Sequence, residues 1–285
     1  MNFKTLHNGI KMPAVAFGTI NTTKEAVKAA IKAGYRNIDT AEIYGNEEMV
    51  GQAIREAIDE DGIKREELFI STKLWKDFKS HDFALSHYEA SKKRLGLDYI
   101  DLYLIHWPAN ATKNPSDWQK INLDTWSGLE ELYTSGAVKA IGVSNYLSHH
   151  IESLVAGAKI KPMVNQIEYH PGFAQTESAD LCKKNGIAVE AWSPFGTGEV
   201  LKNETLLKIA ESHGKTSAQI ALRWLLQKDI IPVAKSSNEK RISENLAIFN
   251  FELTEDEMSK IDSLPYIGGM GFDPDTESSK WGMRF

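Results

Sequence analysis

Eight short apolar runs alternate with longer segments of helical periodicity along this chain. Most runs are continuously apolar, which is typical of strands in a parallel sheet that is buried on both faces. Eight strand–helix units in 285 residues predict an α/β fold, a (β/α)8 barrel of the TIM type, as one domain over residues 1–285. The runs occupy residues 14–17, 37–39, 68–74, 100–106, 140–144, 163–168, 188–192 and 230–233.

The segments between the runs carry their own start and stop signals. Thr22, with Glu25 three residues later, predicts a helix N-terminus with a capping box. Gly96 and Gly136 predict the ends of two later helices. The helices predicted after the second strand cover residues 50–58, 80–95, 123–135, 149–156, 176–185, 203–211, 217–227, 241–248 and 254–262.

Two further segments flank the predicted barrel. Asn8-Gly9 predicts the turn of a β-hairpin over residues 5–11, which would cap the barrel floor. The irregular tail from Tyr266 is a candidate cover for one end of the barrel. A doubly wound nucleotide-binding fold is the competing architecture, but the G-x-G-x-x-G motif that marks it does not follow the first strand. We therefore favour the barrel.

Composition narrows the classes of partner. Lys and Arg number 33 and Asp and Glu 39, a net charge of −6, which disfavours nucleic-acid binding because that relies on a basic face. Cys182 is the only cysteine, so an intramolecular disulfide and a cysteine-rich zinc site are both excluded. The sequence has no apolar signal core and no run of about 18 apolar residues. We therefore expect no membrane partner and a reducing, cytoplasmic setting.

Polar side chains follow most of the predicted strands, at the end where a barrel enzyme has its active site. Asp39 and then Tyr44 come after the second run, the third run leads to Lys73, and the fourth ends in His106. A neighbouring ammonium lowers the pKa of a phenol, so Lys73 would help Tyr44 to exchange a proton. Asp39 would hold Lys73, and His106 would orient a carbonyl group. These four side chains suit the delivery of a proton to a carbonyl oxygen. They supply no hydride, so a cofactor must supply it.

Two other chemistries fit these residues poorly. One carboxylate and one imidazole are too few ligands for a metal, and the chain has no H-E-x-x-H helix, so no metal is expected. The adjacent His149 and His150 are expected to point in different directions on a helix, which disfavours a second metal site there. Nucleophilic hydrolysis is disfavoured because no G-x-S-x-G turn occurs.

At these residues the sequence resembles the aldo-keto reductases, in particular the bacterial group that contains diketogluconate and glyoxal reductases. The similarity covers nearly the whole chain, and its motifs are long, separate and in order. They are Phe17-Gly18-Thr19, Tyr35-Arg36-Asn37-Ile38-Asp39-Thr40-Ala41, Asp101-Leu102-Tyr103-Leu104-Ile105-His106-Trp107-Pro108, Ile141-Gly142-Val143-Ser144-Asn145-Tyr146, Val164-Asn165-Gln166-Ile167-Glu168-Tyr169-His170-Pro171, and Lys235-Ser236 through Arg241 and Glu244-Asn245.

The resemblance implies an activity and the residues that perform it. The activity is NADPH-dependent reduction of aldehydes and ketones to alcohols, with hydride from nicotinamide C4. The implied catalytic tetrad is Asp39, Tyr44, Lys73 and His106, with Tyr44 as the general acid. Ser144, Asn145 and Gln166 would hold the nicotinamide carboxamide, and Trp192 would stack on the nicotinamide ring. The family usually has Tyr at that last position, but Trp keeps a stacking face.

The rest of the cofactor site is also implied by the resemblance. Lys235, Ser236 and Arg241 would bind a 2′-phosphate, and two cations around one phosphate favour NADPH over NADH, since charge-assisted contacts are strong. The alternative is an ordinary helix start, with Ser237 or Asn238 as the cap and Arg241 exposed. The other implied cofactor contacts are Thr19, Ser193, Phe195, Ser237, Glu244 and Asn245.

The substrate side departs from the family pattern. Ile20 stands where many relatives have Trp, and the tail is short compared with relatives that recognise steroids. We expect Ile20, Ile43, Trp75 and Trp107 to line a pocket for a small-molecule carbonyl: an aldehyde, a dicarbonyl, or a keto acid or ester. Most relatives are monomers, and no heptad repeat indicates otherwise here. The alternative functions are a non-catalytic NADPH-binding sensor or regulatory subunit and, more remotely, a metal-dependent hydrolase.

Overall fold

A computed structural model describes residues 2–77, 79–269 and 271–276 of the protein. An antiparallel hairpin comes first, and eight parallel strands then close into a barrel, because the last of them pairs with the first. The predicted (β/α)8 fold is therefore confirmed. The hairpin strands are β1 (Phe3–Thr5) and β2 (Lys11–Pro13), and the barrel strands are β3 (Ala16–Gly18), β4 (Asn37–Asp39), β5 (Phe69–Leu74), β6 (Ile100–Ile105), β7 (Val138–Ser144), β8 (Val164–Glu168), β9 (Ala188–Trp192) and β10 (Ile230–Ala234).

The α-helices of the described residues follow these strands as a ring around the barrel. They are α1 (Lys24–Ala33), α2 (Glu47–Asp61), α3 (His81–Leu95), α4 (Trp118–Thr134), α5 (Ser148–Gly157), α6 (Thr176–Lys184), α7 (Glu204–His213), α8 (Ser217–Gln227), α9 (Glu239–Leu246) and α10 (Glu255–Asp262). Short 3₁₀ turns lie at Glu42–Tyr44, Arg65–Glu67, Gly196–Gly198 and Val200–Lys202. The first of these turns carries the candidate general acid.

Two predicted helix starts are wrong. The cap of α1 is Thr23 and not Thr22: its hydroxyl accepts the Ala26 N–H at 3.3 Å, and Glu25 falls within the first turn. Helix α4 begins at Trp118 rather than at residue 123. Asp117 at its N-terminus makes no capping bond through its side chain, so the usual start signal is missing there.

The hairpin lies against the N-terminal ends of the barrel strands, as predicted. His7 Nε2 lies 3.1 Å from the Pro162 carbonyl oxygen, and Asn8 Nδ2 donates to the Lys139 carbonyl oxygen at 3.0 Å. Pro162 lies two residues before β8, and Lys139 is the second residue of β7. The hairpin therefore closes the floor, and the mouth at the opposite end is left for the site.

The described part of the tail passes over that mouth. The Ile267 N–H donates to the Gly172 carbonyl oxygen at 3.0 Å, and the Phe272 ring lies 5.9 Å from the Trp107 ring between centroids. Residues 270 and 277–285, which the single-domain prediction includes, lie outside the described residues. In the part of the chain that is described, none of the helices combines the length and apolarity needed to span a bilayer.

Candidate active site

A cavity of about 520 Å³ opens at the C-terminal ends of the barrel strands. Its size is in the range of small-molecule and cofactor sites, and its position is the one that barrel enzymes use. Three of the four predicted catalytic residues, Asp39, Tyr44 and His106, line it. The fourth, Lys73, lies fully buried behind Asp39. The structure thus brings the four predicted side chains together.

The Lys73 ammonium is held by three acceptors. Its Nζ lies 2.6 and 2.8 Å from the two carboxylate oxygens of Asp39 and 2.9 Å from the Thr40 carbonyl oxygen. Burial acts to lower the pKa of Lys73, but Asp39 together with Tyr44 and Glu190 outweighs it, and the pKa is raised. Lys73 is therefore a permanent buried cation, because a charge in the interior persists only when it is paired.

Tyr44 lies above this ion pair on the 3₁₀ turn that follows β4. The centre of its ring is 5.3 Å from Lys73 Nζ and 5.9 Å from the centre of the His106 ring. Burial raises the pKa of the Tyr44 phenol above its ordinary value, and Lys73 opposes that shift only in part. The expected net lowering of the Tyr44 pKa is therefore wrong for this state. The sequence shows the Lys73 ammonium, but it does not show the burial of the phenol. The phenol is neutral, which is the form that can give up a proton.

His106 is a neutral imidazole in this site. Burial, with the nearby ammonium groups of Lys73 and Lys76, lowers its pKa well below the ordinary value. The ring also packs against Trp75, with 5.3 Å between centroids. A neutral imidazole carries one N–H, so His106 can donate one hydrogen bond to a carbonyl oxygen without adding a charge to the cavity.

A hydrogen-bonded group of side chains lies beside the catalytic residues. Trp192 Nε1 donates to Asn145 Oδ1 at 2.9 Å, and Asn145 Nδ2 donates to the His106 carbonyl oxygen at 2.9 Å and to Ser144 Oγ at 3.2 Å. Ser144 Oγ donates in turn to the Gln166 carbonyl oxygen at 2.7 Å. All four residues predicted around the nicotinamide therefore line the same wall of the cavity.

The backbone along this wall is strained. Asn145 has φ of 62° and Ser193 has φ of 52°, values that non-glycine residues seldom adopt. Such conformations persist where the surrounding structure enforces them, and they are concentrated at ligand sites. Ser193 begins the loop after β9, and Phe195 on that loop, another of the implied cofactor contacts, also lines the cavity.

The residues predicted for the 2′-phosphate lie further out. Lys235 lines the edge of the cavity and is exposed. Ser237 and Arg241 are also exposed, and Asn238 caps α9 by accepting the Arg241 N–H at 3.1 Å. An ordinary helix start would also have Asn238 as the cap and Arg241 exposed. In this arrangement the Arg241 guanidinium is nevertheless free to approach an anion. Ser236, Glu244 and Asn245 belong to the same segment, and none of the three lines the cavity.

The remaining predicted residues lie around the mouth. Thr19 is buried and donates from Oγ1 to the Asp39 carbonyl oxygen at 3.0 Å. The four predicted substrate residues, Ile20, Ile43, Trp75 and Trp107, all line the cavity. Cavity residues that the sequence analysis did not identify are Gly18, Asn21, Pro194, Thr197, Gly198, Leu201, Val233 and Phe272. Those that are adjacent in sequence to predicted residues could have been included with them. Phe272 on the tail carries no sequence signal of its own.

The His149–His150 pair differs from the expectation. The two rings lie 4.0 Å apart between centroids, and both approach Asp275, with Nε2 to Oδ1 distances of 2.9 and 3.4 Å. The expectation that they point in different directions is therefore wrong. His150 Nδ1 accepts the Leu147 N–H at 3.3 Å, so its neutral ring carries the proton on Nε2 and offers that atom no lone pair for a metal.

The comparisons with known proteins can now be set beside this geometry. The model of the aldo/keto reductase family matches residues 16–265. The chain belongs to the aldo/keto reductase family. The resemblance seen in its motifs is thereby confirmed, and the protein is an oxidoreductase.

Individual relatives of this aldo/keto reductase agree over nearly its full length. The chain is 50% identical over 275 residues to a glyoxal reductase of Bacillus subtilis, covering 95% of each protein. It is similar to an aldo-keto reductase from a deep-sea metagenome library, with a TM-score of 0.89, 43% identity and coverage of 95% and 98% of the two chains. A Bombyx mori aldo-keto reductase solved in complex with NADP has a TM-score of 0.87, 38% identity and coverage of 97% and 99%.

Proposed function

We propose that this aldo/keto reductase reduces small aldehydes and ketones to alcohols with NADPH as the hydride donor. The observation that supports this most is the joint position of a neutral phenol and a neutral imidazole in one cavity, above a buried ammonium–carboxylate pair. Transfer of a hydride to a carbonyl carbon leaves an alkoxide, which needs a proton donor and hydrogen bonds at its oxygen. The four side chains supply these.

The residues of the cavity fit NADPH. Trp192 offers an aromatic face, and Ser144, Asn145 and Gln166 offer the hydrogen-bonding groups that a carboxamide needs. The positive φ of Asn145 and Ser193 supports a binding role for this wall, since such conformations are concentrated at ligand sites. When bound, NADPH supplies a hydride from its nicotinamide ring.

Each catalytic side chain has a separate role in this proposal. Tyr44 gives its proton to the carbonyl oxygen, and Lys73 stabilises the phenolate that remains, because the nearby ammonium acts to lower the pKa of the phenol. Asp39 keeps the ammonium in place. His106 donates a hydrogen bond that orients the carbonyl carbon toward the cofactor.

The substrates proposed are small carbonyl compounds, with dicarbonyls foremost. The substrate side of the cavity is built from Trp75, Trp107, Phe272 and two isoleucines, which offer apolar contact and no fixed charge. A relative of 50% identity is named glyoxal reductase. We also propose that the protein works as a monomer, since one chain supplies every group of the site, and that it is cytoplasmic, which agrees with a single buried free thiol at Cys182.

The proposal is tested by following NADPH oxidation with glyoxal, an aromatic aldehyde, a keto acid and a keto ester. Turnover with at least one carbonyl, undiminished by a chelator, is the expected result. NADPH binding without turnover of any carbonyl would favour the non-catalytic sensor, a role that no observation on this chain supports. Loss of activity on chelation would favour a metal-dependent enzyme.

The cofactor preference gives a separate prediction. Arg241→Ala is expected to weaken NADPH binding about tenfold or more, because a charge-assisted hydrogen bond contributes about 1.5–3 kcal/mol. NADH, which has no 2′-phosphate, should bind both proteins equally. Dissociation constants from quenching of tryptophan fluorescence measure this, and Lys184→Ala, the same charge change at an exposed position on α6, is the control. Equal loss of affinity for both cofactors would contradict the assignment of Arg241.

A further inference from the structure

A second carboxyl group is buried in the barrel beneath the catalytic residues. Glu190 on β9 is fully buried and pairs in register with Gln166 on β8 and with Ile231 on β10. The proposed chemistry does not use it. A fully buried carboxyl group beside an active site calls for a physical explanation, since its burial costs free energy unless it is paired or uncharged.

Glu190 and Asp39 share the two N–H groups of one amide. Gln166 Nε2 donates to Glu190 Oε2 and to Asp39 Oδ2, each at 3.0 Å. Turning the amide over would place its oxygen against the Asp39 oxygen that pairs with Lys73, and this is unfavourable because a carboxylate accepts hydrogen bonds and donates none. Both donors are thus committed below the cavity, and Gln166 Oε1 is the atom left to accept a hydrogen bond from a ligand.

The surroundings of Glu190 favour its uncharged form. The charged groups that face it are Asp39 on β4 and Lys73 on β5, and Lys73 is already neutralised by Asp39. A second carboxylate would leave this interior with a net negative charge. Burial, together with Asp39, raises the pKa of Glu190 to about 8.

Two neighbouring amides act in the opposite direction. Gln166 and Asn37 lower the pKa of Glu190, because the N–H groups that they offer favour the ionised carboxylate. Burial and Asp39 outweigh these amides and the attraction of Lys73, so the pKa stays raised. Among the described residues, Glu190 Oε1 is buried without a hydrogen-bond partner, which makes a charge on it costly.

We propose that Glu190 is a positioning residue that holds the Gln166 amide with its oxygen toward the nicotinamide carboxamide, and that it does so as an uncharged acid. The inference rests on the proposed function, in which Gln166 contacts the cofactor. Ionisation would add a negative charge near Lys73 and so disfavour the Tyr44 phenolate that reduction leaves behind. The rate of the reduction step therefore falls as pH rises through the titration of Glu190.

The test uses two variants of similar size. In Glu190→Gln the new amide can accept the Gln166 N–H, as the carboxyl group does, but it cannot ionise. In Glu190→Met this acceptor is lost, and Asp39 alone holds the Gln166 amide. NADPH dissociation constants are measured by fluorescence quenching, and the rate of reduction is measured by single-turnover stopped flow from pH 6 to 10.

We expect Glu190→Met to weaken NADPH binding about tenfold, since one of the two hydrogen bonds that hold the Gln166 amide is lost, and Glu190→Gln to restore most of that affinity. We expect the wild-type reduction rate to fall near pH 8 and the Glu190→Gln rate to lack that fall. Equal affinities in all three proteins would overturn the positioning role, and the same fall in Glu190→Gln would overturn the uncharged state. If the wild type reduces no carbonyl, the proposed function fails while the affinities still decide the role of Glu190.

Discussion

Replacing Tyr44 with Phe is expected to lower kcat for carbonyl reduction by about 10³-fold, since a positioned general acid contributes about 10²–10⁴-fold. The variant loses only the phenolic hydroxyl above the ion pair of Lys73 and Asp39. NADPH binding should persist, because none of the side chains that line the cofactor wall is altered. The measurements are steady-state NADPH oxidation and fluorescence titration with NADPH.

A matched substitution controls for the loss of a phenol as such. Tyr266→Phe removes the same hydroxyl from a side chain that is 66% exposed and does not line the cavity. It should turn over at the wild-type rate. Wild-type activity in Tyr44→Phe would remove Tyr44 as the acid and with it the proposed proton path.

Replacing Lys73 with Met is expected to damage both activity and stability. Removal of one partner from a buried ion pair costs about 3–5 kcal/mol, because the other charge is left uncompensated, and Asp39 is almost fully buried. Activity should fall by at least about 10²-fold, since the phenolate of Tyr44 loses its stabilising cation. Chemical denaturation measures the first effect, and NADPH oxidation measures the second.

A double variant separates the two effects. Asp39→Asn with Lys73→Met removes both charges and keeps an amide oxygen for Gln166, so most of the lost stability should return. Activity should remain low, because no cation faces Tyr44. If activity returned together with stability, Lys73 would matter only for folding.

The barrel and the meeting of the tetrad could be predicted because both depend on short-range patterns. Continuous apolar runs identify buried parallel strands, and the geometry of the barrel then carries residues at their ends to one mouth. Asp39 ends β4, Lys73 is the last but one residue of β5, and His106 directly follows β6. For the same reason, the loop residues directly after β7 and β9 could be assigned to the cavity.

What could not be predicted depends on burial and on contacts between distant segments. The pKa of Tyr44 is governed by desolvation, which no spacing of residues reports. His150 turns toward Asp275, and that contact depends on where the tail lies. The bond between Gln166 and Glu190 depends on strand register in the closed barrel. Each of these features belongs to the assembled molecule, whereas the local pattern decides strands and helices.

The hairpin on the floor has a practical consequence for handling the protein. Because β1 and β2 occupy the end of the barrel away from the cavity, the amino terminus is the side on which to attach the molecule to a surface, a label or a fusion partner. An immobilised enzyme tethered there would present its open mouth to the bulk solution, and reactants would reach it without crossing the support.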